Sequence, residues 1–152
     1  MIQTVMVEGV TGVHALGSFA LGCVLVVAAW MDFRSRRVPN GWLGLGLVVY
    51  GVLAFSFGLD PWSALKGGVL GLVVFLPFYL LGGMGAADLK LLGLVGVYLG
   101  PQGVLYSALY TALAGGALAL LALVFHASRR LPYAVAIAVG VGVYEFRSFT
   151  SL

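Results

Sequence analysis

The chain has 152 residues, 62% of them hydrophobic and only 9% charged, with a formal net charge of +3. Soluble domains carry roughly 25% charged residues, so this chain cannot clothe itself in a water-facing shell and belongs to the membrane class. Its arginines sit in short clusters between apolar runs, which excludes a nucleic-acid-binding surface, and its single cysteine, Cys23, excludes an intrachain disulfide or a multi-cysteine zinc site.

A membrane-spanning helix takes about 20 mostly apolar residues. The first such run, Val10–Trp30, follows an N-terminus without the basic region of a cleaved signal peptide, so it reads as a retained helix with Cys23 expected as a small buried hydrophobe. Asp32 comes after it and Met31, followed by Arg34, Arg36, Arg37 and the pair Pro39-Asn40. The second run is Gly41–Gly58 and the third Leu65–Gly82, separated by a break that holds Asp60. A glycine-rich turn through Gly83 and Gly85 then leads to Asp88 and into a short fourth run, Leu89–Leu99. After Gly100-Pro101-Gln102 come Gly103–Phe125, the basic break His126–Arg130 and the sixth run, Leu131–Phe146. No break is long enough for a soluble domain. The expected fold is therefore a single all-α membrane domain over residues 1–152, with about six transmembrane helices.

Cytoplasmic loops carry the excess of Lys and Arg. With six spans, Arg34, Arg36, Arg37, Lys90, Arg129 and Arg130 alternate onto one side, and only Lys66 and Arg147 onto the other. That asymmetry predicts both termini outside the cytoplasm. Trp30, Trp42 and Trp62 fall at span ends, as interfacial anchors do. Gly67 with Gly71, and Gly96 with Gly100, have the four-residue spacing that lets helix backbones approach closely in lipid.

The acidic residues number five. Glu8, Asp60 and Glu145 fall near outer span ends or in loops, where solvation accounts for them. Asp32 and Asp88 both lie at the cytoplasmic ends of their spans, at matching depth, so they are placed to meet. A carboxylate at the bilayer centre costs ~2.5–3.5 kcal/mol and less near the interface, so such groups usually face a protein interior or a polar cavity. Two carboxylates in contact do not both ionise cheaply and share a proton. One then takes a proton from water while the other protonates a peptide carbonyl. The bland alternative makes them interfacial partners of Arg34 and Lys90. Two further classes use the same carboxylates: a small ion- or proton-coupled transporter, and an inactive assembly subunit of a secretion system.

Other chemistries find less support. A serine triad needs a nearby histidine, but His14 is 18 residues from Asp32, about 27 Å along a helix, and His126 opens a basic loop. No His-Glu-x-x-His motif is present, so the expected site has no metal and no cofactor.

The stretch Asp32-Phe33-Arg34-Ser35-Arg36-Arg37-Val38-Pro39-Asn40 resembles the first signature of type IV prepilin peptidases, and Gly82-Gly83-Met84-Gly85-Ala86-Ala87-Asp88-Leu89-Lys90 resembles their Gly-x-Gly-Asp-x-Lys second signature. Leu131-Pro132-Tyr133-Ala134 is similar to the segment that opens the last helix in short members. The resemblance implies that Asp32 and Asp88 are the catalytic pair, with Pro39, Asn40, Gly83, Gly85 and Lys90 as supporting motif residues. It also implies removal of a short basic leader from pilin-like precursors at the cytoplasmic face of the inner membrane, with pilus or secretion machinery as possible partners. The size is similar to the tight-adherence (Flp-type) enzymes. No methyltransferase region is seen, so peptidase activity without N-methylation is expected. One departure is Ala87, where the family has glycine; a positive φ there would strain an alanine. Lys90, two residues past Asp88, points elsewhere on a helix and is expected to meet a headgroup or a loop carbonyl, not Asp88.

Overall fold

The structure is a computed structural model and describes residues 2–35, 38–124 and 133–150. Arg36, Arg37, His126, Arg129, Arg130, Leu131 and Pro132, all named above, lie outside the described residues. Among the described residues there is no strand. The chain forms α1 (Ile2–Ser35), α2 (Asn40–Phe57), α3 (Pro61–Leu80), α4 (Ala86–Val124) and α5 (Tyr133–Thr150).

Four stretches, Gly12–Ser35, Asn40–Phe57, Pro61–Leu80 and Ala86–Leu121, are long and apolar enough to cross a membrane. The outer surface agrees: Phe55 is 94% exposed and Leu81 85%, and apolar side chains of this size are exposed on every helix. A water-soluble monomer does not present such continuous apolar surface. This is a multi-pass membrane protein.

The first helix runs to Ser35, beyond the hydrophobic run that ended at Trp30. Its last turn continues because Phe33, Arg34 and Ser35 project outward, and Ser35 Oγ donates back to the Met31 carbonyl at 2.8 Å. Asp60, read above as a solvated loop residue, caps α3: its carboxylate accepts from the backbone N–H groups of Trp62 and Ser63, each at 3.0 Å. These are donors that no intrahelical carbonyl reaches.

The fourth helix packs against all four others and is broken at Gly100, where φ is 69° and ψ is −175°. That combination is essentially closed to residues with a Cβ. Pro101 follows without loss, because the first turn of a new helical segment needs no N–H donor there. Gly71 of α3 touches both Leu92 and Val104, which an unbroken helix would hold about 18 Å apart. The two parts of α4 therefore fold back toward each other along α3.

Glycines make this approach possible. A Cβ on Gly67 would collide with the backbone of Gly96 and Gly100, and one on Gly71 with the Leu92 carbonyl. Farther along, Gly140 of α5 lies against the Thr111 backbone, and Gly103 beside Tyr144. Lipid offers no hydrophobic drive for helices to associate, so this close packing is what holds them together.

The core is built from Leu21, Leu25 and Ala28 of α1, Leu91, Leu92 and Val95 of α4, and Ile137 and Val141 of α5, all nearly or fully enclosed. Trp42, in the first turn of α2, also binds within the chain: the indole is partly buried and its N–H donates to the Val24 carbonyl of α1 at 3.1 Å. Cys23 departs from expectation, being exposed on the outer face of α1 instead of buried.

Candidate active site

Asp32 occupies the last turn of α1, on the inward stripe that begins at Leu21, Leu25 and Ala28. The spacings of four, three and four keep these residues on one helix face. Its carboxyl is buried, and Oδ2 accepts from the backbone N–H of Ala134 at 3.2 Å, 102 residues away in the first turn of α5. The first N–H groups of a helix have no intrahelical acceptor and carry the positive end of its dipole. A buried carboxylate is a suitable partner for them.

The turn before α4 is set by its glycines. Gly82, with φ at 75°, donates to the Tyr79 carbonyl, and Gly83 donates to Phe78 at 2.9 Å. This is a Schellman closure of α3, which requires a left-handed residue after the helix. Two residues later Gly85 precedes the first residue of α4; its carbonyl accepts from Leu89 N–H, and its own N–H donates to Asp88 Oδ2 at 3.2 Å. Asp88 thus reaches back to the helix entrance as the third residue of a capping box does. A Cβ on Gly85 would sit 3.1 Å from that same oxygen, so glycine leaves room for the carboxylate.

Asp88 is also buried, and Asp32 is the ionisable side chain whose field acts on it. Two carboxylates, from residues 56 positions apart, are therefore both buried, and each accepts a backbone N–H at a helix entrance, Asp88 at that of α4 and Asp32 at that of α5. Ala87 is the second residue of α4 and holds helical backbone, so no positive φ is demanded of it. Alanine is the best helix former, which removes the strain that the sequence suggested.

Pro39 ends the connection from α1 as the N-cap of α2, its carbonyl accepting from Trp42 and Leu43, and Asn40 is the first residue of α2. Lys90 Nζ donates to Asn40 Oδ1 at 3.1 Å. The lysine's partner within the chain is thus a side-chain amide and not a loop carbonyl, and no ion pair joins Lys90 to Asp88 among the described residues. The contact ties one signature stretch to the other across 50 residues. Among the described residues, no three His, Cys, Asp or Glu side chains gather as a metal site.

The Ala134 N–H is the site group that sequence reasoning did not reach. Its only signal was Pro132-Tyr133, which marks a helix start; a backbone donor has no side chain to announce it.

Apolar helices around two buried carboxylates define a multi-pass membrane protein with a candidate site at the start of α4 and α5. A model of the type IV leader peptidase family matches residues 19–120, a stretch holding both aspartates, and the chain belongs to this family of membrane proteases. No curated protein and no solved structure matches the chain.

Proposed function

We propose that the protein is an aspartyl endopeptidase that removes the leader from type IV pilin-like precursors at the cytoplasmic face of the inner membrane. The observation that carries this reading is the enclosed Asp32–Asp88 pair, each carboxylate held by a backbone N–H at a helix entrance. The pair shares one proton. The ionised member accepts a proton from a water molecule as its oxygen attacks the scissile carbonyl carbon, while the protonated member delivers its proton to the carbonyl oxygen. The resulting gem-diol collapses, the C–N bond breaks, and the amine leaves with a proton returned by the dyad. No covalent enzyme intermediate forms.

Purified protein offered a precursor with its leader should yield a shortened chain of defined mass. An unchanged precursor would remove the protease reading in favour of an inactive assembly subunit or a transporter.

The same reading has one membrane domain with six crossings, counting the two parts of α4 and α5, and both termini outside. The break at Gly100 supports this count, as does the six-to-two distribution of basic residues. A reporter fused after Leu152 is expected to read as external, and one inserted near Arg36 as cytoplasmic. If both report one side, the count is wrong by one crossing.

Lys90 and Asn40 brace the rim of the site. The pair is exposed, and exposed polar pairs are worth ~0–1 kcal/mol. Lys90→Ala should therefore slow cleavage less than about tenfold and leave the acidic limb of the pH–rate profile in place. Displacement of that limb by about a unit would instead make Lys90 part of the proton chemistry.

A further inference from the structure

Among the described residues α2 packs on α1 and α4 but scarcely on α3, which leaves a groove between α2 and α3 floored by α4. Its volume is about 400 Å³ and its lining is mostly apolar. Leu43 and Leu47 of α2 and Leu72 of α3 wall it, and Gly93 and Val97 of α4 form the floor. On the α2 side a Cβ added to Gly44 meets nothing within 4 Å, so glycine there widens the opening. From Asn40 to Leu47, or from Lys90 to Val97, the groove runs roughly 10 Å along a helix, less than half the ~30 Å hydrocarbon core and so within one leaflet.

One end of the groove is charged. Lys90 and Asn40 stand there, joined by the bond from Lys90 Nζ to Asn40 Oδ1. An ammonium has three N–H donors, and an amide whose oxygen is engaged turns its NH2 the other way, so both groups present donors beyond the bond they share. No carboxylate neutralises the ammonium among the described residues. Asp88, two positions earlier, is turned back to the Gly85 N–H, and Asp60 caps the opposite end of α3. The lining includes neither Asp32 nor Asp88, so the groove is no path to the dyad. It is also far too short to seat a spanning helix of about 20 residues.

We infer that this groove holds one acyl chain of an anionic phospholipid, with the headgroup on Lys90 and Asn40. The walls suit a flexible apolar chain, and the negative charge of the headgroup meets the one cation that lines the mouth. Basic pockets between transmembrane helices take acidic headgroups in the same way. A lipid so seated bridges α2 and α3, and it covers the hydrogen bond that joins the two signature stretches. The inference does not depend on what the dyad does.

Native mass spectrometry of the protein in detergent, titrated with phosphatidylglycerol or with phosphatidylcholine of the same acyl chains, tests the site. The unaltered protein should bind one phosphatidylglycerol about fivefold more tightly than phosphatidylcholine, the scale of one lysine at an anionic surface. Lys90→Gln keeps a donor for Asn40 and removes the charge, so it should bring that preference within twofold. Lys66→Gln, the same change near the start of α3, should leave the preference in place. Gly44→Leu fills the groove and should weaken both lipids at least fivefold. Gly142→Leu is its control: it adds equal bulk to an apolar groove between α1 and α5 whose lining holds no cation, and should change neither lipid by more than twofold.

No preference in the unaltered protein, a preference that survives Lys90→Gln, or lipid binding unchanged by Gly44→Leu would overturn the inference. Unchanged lipid binding together with a tenfold higher KM for a pilin-like precursor in Gly44→Leu would assign the groove to the substrate instead. Lipid binding is read without cleavage, so failure of the peptidase reading would leave these results standing.

Discussion

Asp32→Asn and Asp88→Asn are each expected to reduce leader cleavage by roughly a thousandfold or more, the scale seen when one member of a catalytic unit is removed. The amide is close in size to the carboxylate and keeps one acceptor oxygen, so the new side chain at position 32 would still receive the Ala134 N–H, and the one at position 88 the Gly85 N–H. What is lost is the capacity to hold and release a proton. Both variants should insert and purify like the unaltered protein, which gel filtration and thermal unfolding in detergent would establish. An inactive variant that also fails to purify would report on folding and not on chemistry.

The second large effect falls on stability. Gly67→Ala should destabilise the protein by about 3 kcal/mol, the upper end of the usual cost of overpacking, because the added methyl meets backbone on Gly96 and Gly100 and not a flexible side chain. Gly100→Ala adds backbone strain to a contact with Ser63 Oγ and should fall in the same range. The contrast is Gly51→Ala, where the new methyl meets nothing within 4 Å. Replacing glycine in a helix interior by alanine there should be neutral or stabilising by up to about 1 kcal/mol. Thermal unfolding of all three in one detergent checks the ranking, and equal midpoints for Gly67→Ala and Gly51→Ala would refute the packing account.

These two results bear on different parts of what the sequence made legible. The apolar runs announced α2 and α3 to within four residues at each end, because length and hydropathy decide a membrane helix, but left α1 short by eight residues at its start and five at its end. The glycine spacing at 67, 71, 96 and 100 announced close packing, but not that Gly67 would face both Gly96 and Gly100, which depends on the reversal at Gly100. Asp32 and Asp88 stood out because charge is rare in such a chain, and both side chains are buried.

Pairings between distant elements were not visible. The Ala134 N–H on Asp32 and the Asn40 amide under Lys90 arise only when helices 102 and 50 residues apart are docked. Trp42 shows the same limit in another way. Its place at a span end fits an interfacial anchor, but nothing in the sequence announces the Val24 carbonyl of α1 that accepts its N–H at 3.1 Å. For Ala87 local reading raised a concern that the helical backbone removes.

The central claim is that Asp32 and Asp88 act as one unit on water. Its most direct test compares cleavage of one precursor by the unaltered protein, the two single Asn variants and the Asp32→Asn/Asp88→Asn double variant, with product mass as the readout. Members of a unit are grossly non-additive, so the double variant should be no slower than the worse single variant, within about threefold. Near-normal cleavage by either single variant, or a double variant slowed by the product of the two single losses, would contradict it.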